Sequence, residues 1–221
     1  MYQEKKMNDK EKADKAIALL ENEYPDAICS LTYNNALHLL IATRLAAQCT
    51  DKRVNMVTPA LFERFPTAEA FAKADVSEVE EYIKSCGLYK TKAKDIVSMC
   101  IMLCDSFGGV VPDTIEELTK LPGIGRKTAN LVIGDIFGKS AVVVDTHCIR
   151  ITSRLGFHNI KDAVKIEKIL RELLPPKKSN DFCHRLVLHG RAVCNARKPK
   201  CELCCMKNIC NYYETNFKEN K

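Results

Sequence analysis

The 221 residues suffice for one large domain or two small ones with an adequate core. At 46% hydrophobic and 28% charged the chain excludes long disorder, and 34 Lys and Arg against 28 Asp and Glu leave a formal charge of +6 and a pI near 8.6. That mild excess fits nucleic-acid binding without requiring it.

The opening stretch MYQEKKMNDKEKADKAIALL has no apolar signal-peptide core, and no run is long enough to span a bilayer. The expectation is a cytoplasmic protein with no membrane partner. In that reducing setting twelve cysteines signal metal where they cluster and apolar packing where they scatter. Apolar residues at three-to-four spacing predict helices over 8–23 and 34–48, the second through Leu37, Leu40, Ile41 and Leu45. Helices are also predicted near 51–64, 67–73, 76–85 and 89–107, then near 114–120, 126–137, 145–155, 161–174 and 179–193. Start signals stand at Thr67, at Ser77 with Glu78 and Glu80, and at Asp113-Thr114 with Glu116 and Glu117. Gly108-Gly109, Pro112, Gly156 and Pro175-Pro176 mark the short connections. The one strand-like run, Ala141 to Val144, reads as a buried connector, which leaves an all-α protein of roughly ten or eleven helices.

Two of these helices are joined by Leu121-Pro122-Gly123-Ile124-Gly125. Glycines permit a tight backbone there, and their missing side chains let another backbone come close. The following helix offers its first N–H groups to a phosphate. A P-loop would place Gly directly before its Lys, and here that residue is Arg126; a dinucleotide fingerprint would place a third Gly where Thr128 stands. What remains is either an ordinary Gly-rich turn or a helix–hairpin–helix that grips the DNA backbone without reading sequence. Lys127 falls in the first helical turn, where the dipole favours anions and leaves an amine more of its neutral, nucleophilic form. Alone, it reads equally as a phosphate-binding lysine. Asp145 opens another helix in Val144-Asp145-Thr146-His147. It reads as an N-cap that can also face a ligand, stabilising positive charge on a sugar while Lys127 attacks the sugar carbon.

Near the end comes Cys194-x6-Cys201-x2-Cys204-x5-Cys210. Four thiolates in so short a span are either a zinc site or a [4Fe–4S] cluster, and the single CxxC with two longer gaps modestly favours iron–sulfur. Cys205 reads as a spare that points away, and the remaining seven cysteines, Cys100 and Cys104 among them, as small core residues. Between Cys194 and Cys201 run Arg197, Lys198 and Lys200 without an acid. They form a phosphate clamp or a solvated basic face.

Together these segments resemble endonuclease III: LPGIGRKTAN at 121–130, VVVDTH at 142–147, the four-cysteine run, LAAQCTDKRVN at 45–55, GLYKTKA at 87–93 and LHGRAVCNARKPKC at 188–201. The resemblance covers most of the chain and implies a bilobal all-helical glycosylase fold with DNA between the lobes. It implies a six-helix barrel over 30–139, containing the helix–hairpin–helix at 114–137, and a cluster domain formed by 1–29 with 140–221. It further implies a Schiff-base nucleophile at Lys127, its carboxylate partner at Asp145, and [4Fe–4S] ligands at Cys194, Cys201, Cys204 and Cys210. Gln48 matches a residue that fills the gap left by a flipped base, and Leu88 one that wedges from the other side. Leu121, Gly123, Gly125, Arg126, His147, Lys198 and Lys200 complete the expected DNA contacts. The implied activity is a bifunctional glycosylase/AP lyase acting on oxidised or ring-saturated pyrimidines in damaged duplex DNA. The expected protein is a monomer, associated with the nucleoid in a prokaryote. Rival readings are a mismatch adenine or thymine glycosylase, disfavoured by Lys127 and the short chain, and a non-enzymatic DNA-binding protein.

Overall fold

The computed structural model describes residues 7–218, the side chain of Lys218 excepted. Among them there is no strand. The helices are α1 (Asp9–Glu23), α2 (Ala36–Ala46), α3 (Asp51–Arg64), α4 (Ala68–Ala72), α5 (Val76–Ile83), α6 (Tyr89–Phe107), α7 (Ile115–Leu118), α8 (Arg126–Asp135), α9 (Thr146–Leu155), α10 (Ala163–Leu173) and α11 (Ser179–Ala192). Short 3₁₀ turns follow α5 and α10 and punctuate the segment after α11, which closes with one further helical turn, α12 (Asn211–Tyr213), and a π-helical turn (Glu214–Lys218). α1 to α11 stand where the hydrophobic periodicity puts them; α12 lies beyond the predicted helices. The Ala141 to Val144 run is buried and lies outside any strand or helix.

Several boundaries fall one or two residues from the sequence reading, and two of them show the cause. Asp75, not Ser77, caps α5, its carboxylate accepting from the Ser77 N–H at 2.8 Å. The helix predicted through residue 48 stops at Ala46, because Gln48 adopts a left-handed φ of 53° and Thr50 then caps α3.

The chain forms two compact units, Met1–Ile28 with Lys139–Lys221, and Cys29–Gly138. In the second, α6 packs on α4 and α5 and also meets α2, while α2 lies on α3 and α8. α6 turns Ala93, Ile96, Val97, Cys100 and Leu103 inward and ends at left-handed Gly108. In the first unit α11 packs against α9 and α1. A capping box between Asn8 and Glu11 starts α1, which buries Ala13, Ala16, Ile17 and Leu20 at helical spacing. Burying each larger aliphatic contributes about 1.5–3 kcal/mol. Of the seven scattered cysteines, Cys86, Cys100, Cys148 and Cys183 are core residues as expected. Cys29, Cys49 and Cys104 are only half-buried, which corrects that reading.

Candidate active site

Within the Cys29–Gly138 unit, α7 and α8 enclose the predicted hairpin. Its two glycines serve different ends. Gly123 has a φ of +75°, and a Cβ there would stand 2.6 Å from the Arg44 Nε and 2.9 Å from the Asp95 Oδ2, so it fits only as glycine above that ion pair. Arg44 and Asp95 join α2 to α6 through bonds of 2.9 and 2.6 Å to one carboxylate oxygen. Gly125 has an ordinary φ and open space where a Cβ would sit. It is the residue that leaves room for an approaching backbone. Leu121 and Ile124 are buried, so Leu121 can offer only its main chain to a ligand. α8 starts at Gly125 with neither a side-chain cap nor an acid in its first turn, and Arg126 and Lys127 are exposed there. Its positive end carries no carboxylate of its own.

The same unit holds Gln48 and Leu88. Both are exposed, and both have positive φ, 53° and 47°. Leu88 precedes α6 and is 57% accessible.

In the other unit Asp145 caps α9, its Oδ1 accepting from the Cys148 N–H at 2.8 Å while the side chain stays half-exposed. His147, one turn in, has Nδ1 3.1 Å from the Arg150 Nη2. A guanidinium only donates, so Nδ1 accepts and the proton of the neutral ring sits on Nε2. A Cβ on Gly190 would strike that imidazole, so this glycine makes room for it. Arg150 also donates to the Cys194 carbonyl, from Nε at 3.0 Å and Nη2 at 2.9 Å. One turn on, Arg154 donates to the Cys194 Sγ at 3.1 Å and to the carbonyls of Asn195 and Ala196 at 2.9 Å each. Thus one helix carries Asp145 at its start and grips the cysteine loop along its side.

Cys194, Cys201, Cys204 and Cys210 line one small cavity with Val193, Pro199 and Tyr212; Cys205 is outside it. Burial pushes the thiols of Cys201, Cys204 and Cys210 upward, Cys204 to about 12, and the neighbouring sulfurs add to the effect. His189, buried and pushed down to about 4 by desolvation, lies with Nε2 3.3 Å from the Cys204 Sγ and Nδ1 3.2 Å from the Tyr24 hydroxyl. Tyr24, raised to about 12 first by its own burial, stays a donor, which leaves the imidazole N–H for the sulfur. Lys198 and Lys200 are exposed on this loop.

Comparison with known proteins decides the family. Residues 41–176 match the HhH-GPD superfamily of base excision DNA repair proteins. Endonuclease III of Synechocystis is 46% identical over 91% of this chain and 92% of its own. The chain belongs to the endonuclease III family. A non-covalent endonuclease III–DNA complex superposes with a TM-score of 0.89 at 38% identity, covering 97% of this chain and all of that one (100%). A trapped endonuclease III–DNA covalent intermediate, the estranged-adenine complex, superposes with a TM-score of 0.89 at 39% identity over 95% and 99% of the two chains. Arg150, Arg154 and His189 are not among the residues that the sequence singles out. The i, i+4 pair of arginines on α9 and the histidine five residues before Cys194 were the available signals.

Proposed function

We propose that Lys127 and Asp145 carry the chemistry of this base excision DNA glycosylase and AP lyase. The observation that carries the assignment is an exposed amine in the first turn of α8, whose positive end has no acid or cap. The Lys127 amine attacks the sugar carbon that bears the damaged base, and the base departs. The sugar ring then opens at its ring oxygen, which takes up the proton given up by the amine, and the imine so formed acidifies the adjacent C–H; loss of that proton expels the 3′ phosphate by β-elimination and breaks the strand. Asp145 stabilises the positive charge developing on the sugar and moves protons. Its cap uses Oδ1, so the carboxylate keeps a second oxygen for that work.

DNA enters as damaged duplex, with oxidised or ring-saturated pyrimidines as substrates. Gly125, Gly123 and the main chain of Leu121 hold phosphate, joined by Arg126, His147, Lys198 and Lys200. Gln48 and Leu88 occupy the space of the extruded base. We read Cys29–Gly138 as the barrel domain and the other unit as the cluster domain, in a monomer acting at the nucleoid.

The cysteine loop fits a [4Fe–4S] cluster held by Cys194, Cys201, Cys204 and Cys210. Their thiols ring a single cavity, yet among the described residues no three His, Cys, Asp or Glu side chains converge on one metal ion. The single CxxC with two longer gaps suits four thiolates on four different irons better than the paired spacing of a zinc ribbon. Arg154 and His189 supply donors to two of the sulfurs. When bound, the cluster would offset part of the thiolates' charge and tie the loop together beside its exposed lysines; the chain's own residues perform the reaction.

Borohydride trapping on abasic and oxidised-pyrimidine duplexes tests the central assignment. Wild-type protein should become covalently locked to DNA, and Lys127→Ala should bind but not trap. Base release without any trapping would identify a glycosylase without an amine nucleophile; trapping by Lys127→Ala at the wild-type rate would move the nucleophile elsewhere.

A further inference from the structure

Gln48 and Leu88 share a backbone oddity, since among the described residues they are the non-glycine positions with positive φ. A left-handed non-glycine residue costs about 1–2 kcal/mol and persists only where its surroundings hold it. A third residue, which neither the sequence reading nor the assigned chemistry uses, bonds to the chain beside both. Lys92 lies one turn into α6 and is 0% exposed. Its backbone N–H donates to the Leu88 carbonyl at 3.0 Å. Its Nζ donates to the Leu45 carbonyl and to the Cys86 carbonyl, each at 2.8 Å.

Leu45 precedes Gln48 by three residues, and Cys86 precedes Leu88 by two. One ammonium therefore grips the chain just before each left-handed position. The Leu45 carbonyl belongs to the last turn of α2, where the helix leaves acceptors unfilled and favours a cation. A buried ammonium is expensive unless its donors are satisfied, and burial lowers the pKa of Lys92 from its ordinary value. A methionine stem would fill the same space without that cost. Lys92 thus contributes something that packing alone does not supply, a fixed distance between two turns 40 residues apart in sequence.

We propose that Lys92 is a positioning residue for base extrusion: it pins the Gln48 turn and the Leu88 turn at one spacing and in one conformation, so that both side chains enter the duplex together. The proposal rests on the reading of Gln48 and Leu88 as the residues that fill the extruded base's space. Lys92 touches neither DNA nor the reacting sugar.

Lys92→Met keeps the stem and removes the donors. Single-turnover excision from a fully paired lesion duplex should fall about tenfold or more, whereas cleavage of a preformed abasic site should fall less than about threefold. A 2-aminopurine beside the lesion should show slower unstacking to match. Lys92→Gln, which retains a donor, should recover part of the loss, a rescue that mere space-filling does not predict. Adding Gln48→Ala to Lys92→Met should cost little more than either alone, because both remove one coupled function. Should Lys92→Met fail to fold, Lys92→Gln is read by the same ratio of the two substrates. Equal losses on both substrates, or none, while Gln48→Ala and Leu88→Ala do split them, would overturn the role of Lys92 and leave the wedge reading standing. If Gln48→Ala and Leu88→Ala fail to split the substrates, the wedge reading falls and the proposal with it.

Discussion

The turns at Gln48 and Leu88 and the cysteine loop after α11 are both held by cations that donate to main-chain carbonyls, but only the loop also gathers four thiols. The turns depend on a single buried ammonium and two carbonyls, all supplied by the chain. The loop depends on Arg150 and Arg154, which hold the carbonyls of Cys194, Asn195 and Ala196, and on four thiols crowded at one cavity. In the reading proposed above a cluster completes the loop, because crowded thiolates repel unless a cation joins them. A site built on the chain's own hydrogen bonds is present as soon as the fold is; one built on a bound group can be lost while the helices remain.

The largest effect that sharpens this contrast falls on the helix shared with the loop. Asp145→Asn keeps the cap, since Asn caps as well as Asp, but loses the charge; base release should slow about a hundredfold with little change in melting temperature. Asp145→Ala should add about 1 kcal/mol of destabilisation from the lost cap, read by urea unfolding. A large drop in stability for the Asn variant would mean that the charge serves folding and not chemistry.

Removing the metal by oxidation and chelation should lower the melting temperature by about 10 °C, the shift expected for a loss of about 3–5 kcal/mol in a chain of this size. Hydrogen exchange should quicken over 194–210 and stay slow over 86–92. Equal loosening of both regions would erase the distinction between them. Metal analysis of anaerobically prepared protein should find iron and sulfide in equal amounts and no stoichiometric zinc; zinc without iron would replace the cluster assignment.

Leu88→Ala should reduce excision from paired duplex about tenfold and spare a preformed abasic site, because little unstacking work remains there. The smallest effect belongs to the loop's basic face. Changing Lys198 and Lys200 together to Ala should lower the slope of log affinity against log salt by about two, similarly for damaged and undamaged duplex. An unchanged slope would make those lysines a solvated surface.

The sequence by itself determined the elements of this protein. Eleven helices lie where apolar spacing and caps such as Thr67, Thr114 and Asp145 put them, because such signals act within a turn or two of chain. The four-cysteine run was legible for the same reason, with all its members inside one short segment. Tertiary structure decided the rest. Lys92 reads as one more polar residue in GLYKTKA until its amine is seen to reach Leu45, 47 residues away. Gly123 reads as a turn glycine until Arg44 and Asp95 are found against it. Arg150 and Arg154 read as a helix face until their carbonyl partners, more than forty residues on, meet them for Arg154 at Asn195 and Ala196 and for Arg150 at Cys194. Periodicity reports which face of a helix is buried. It does not report which distant carbonyl a buried cation will find, because that pairing exists only after the helices have packed.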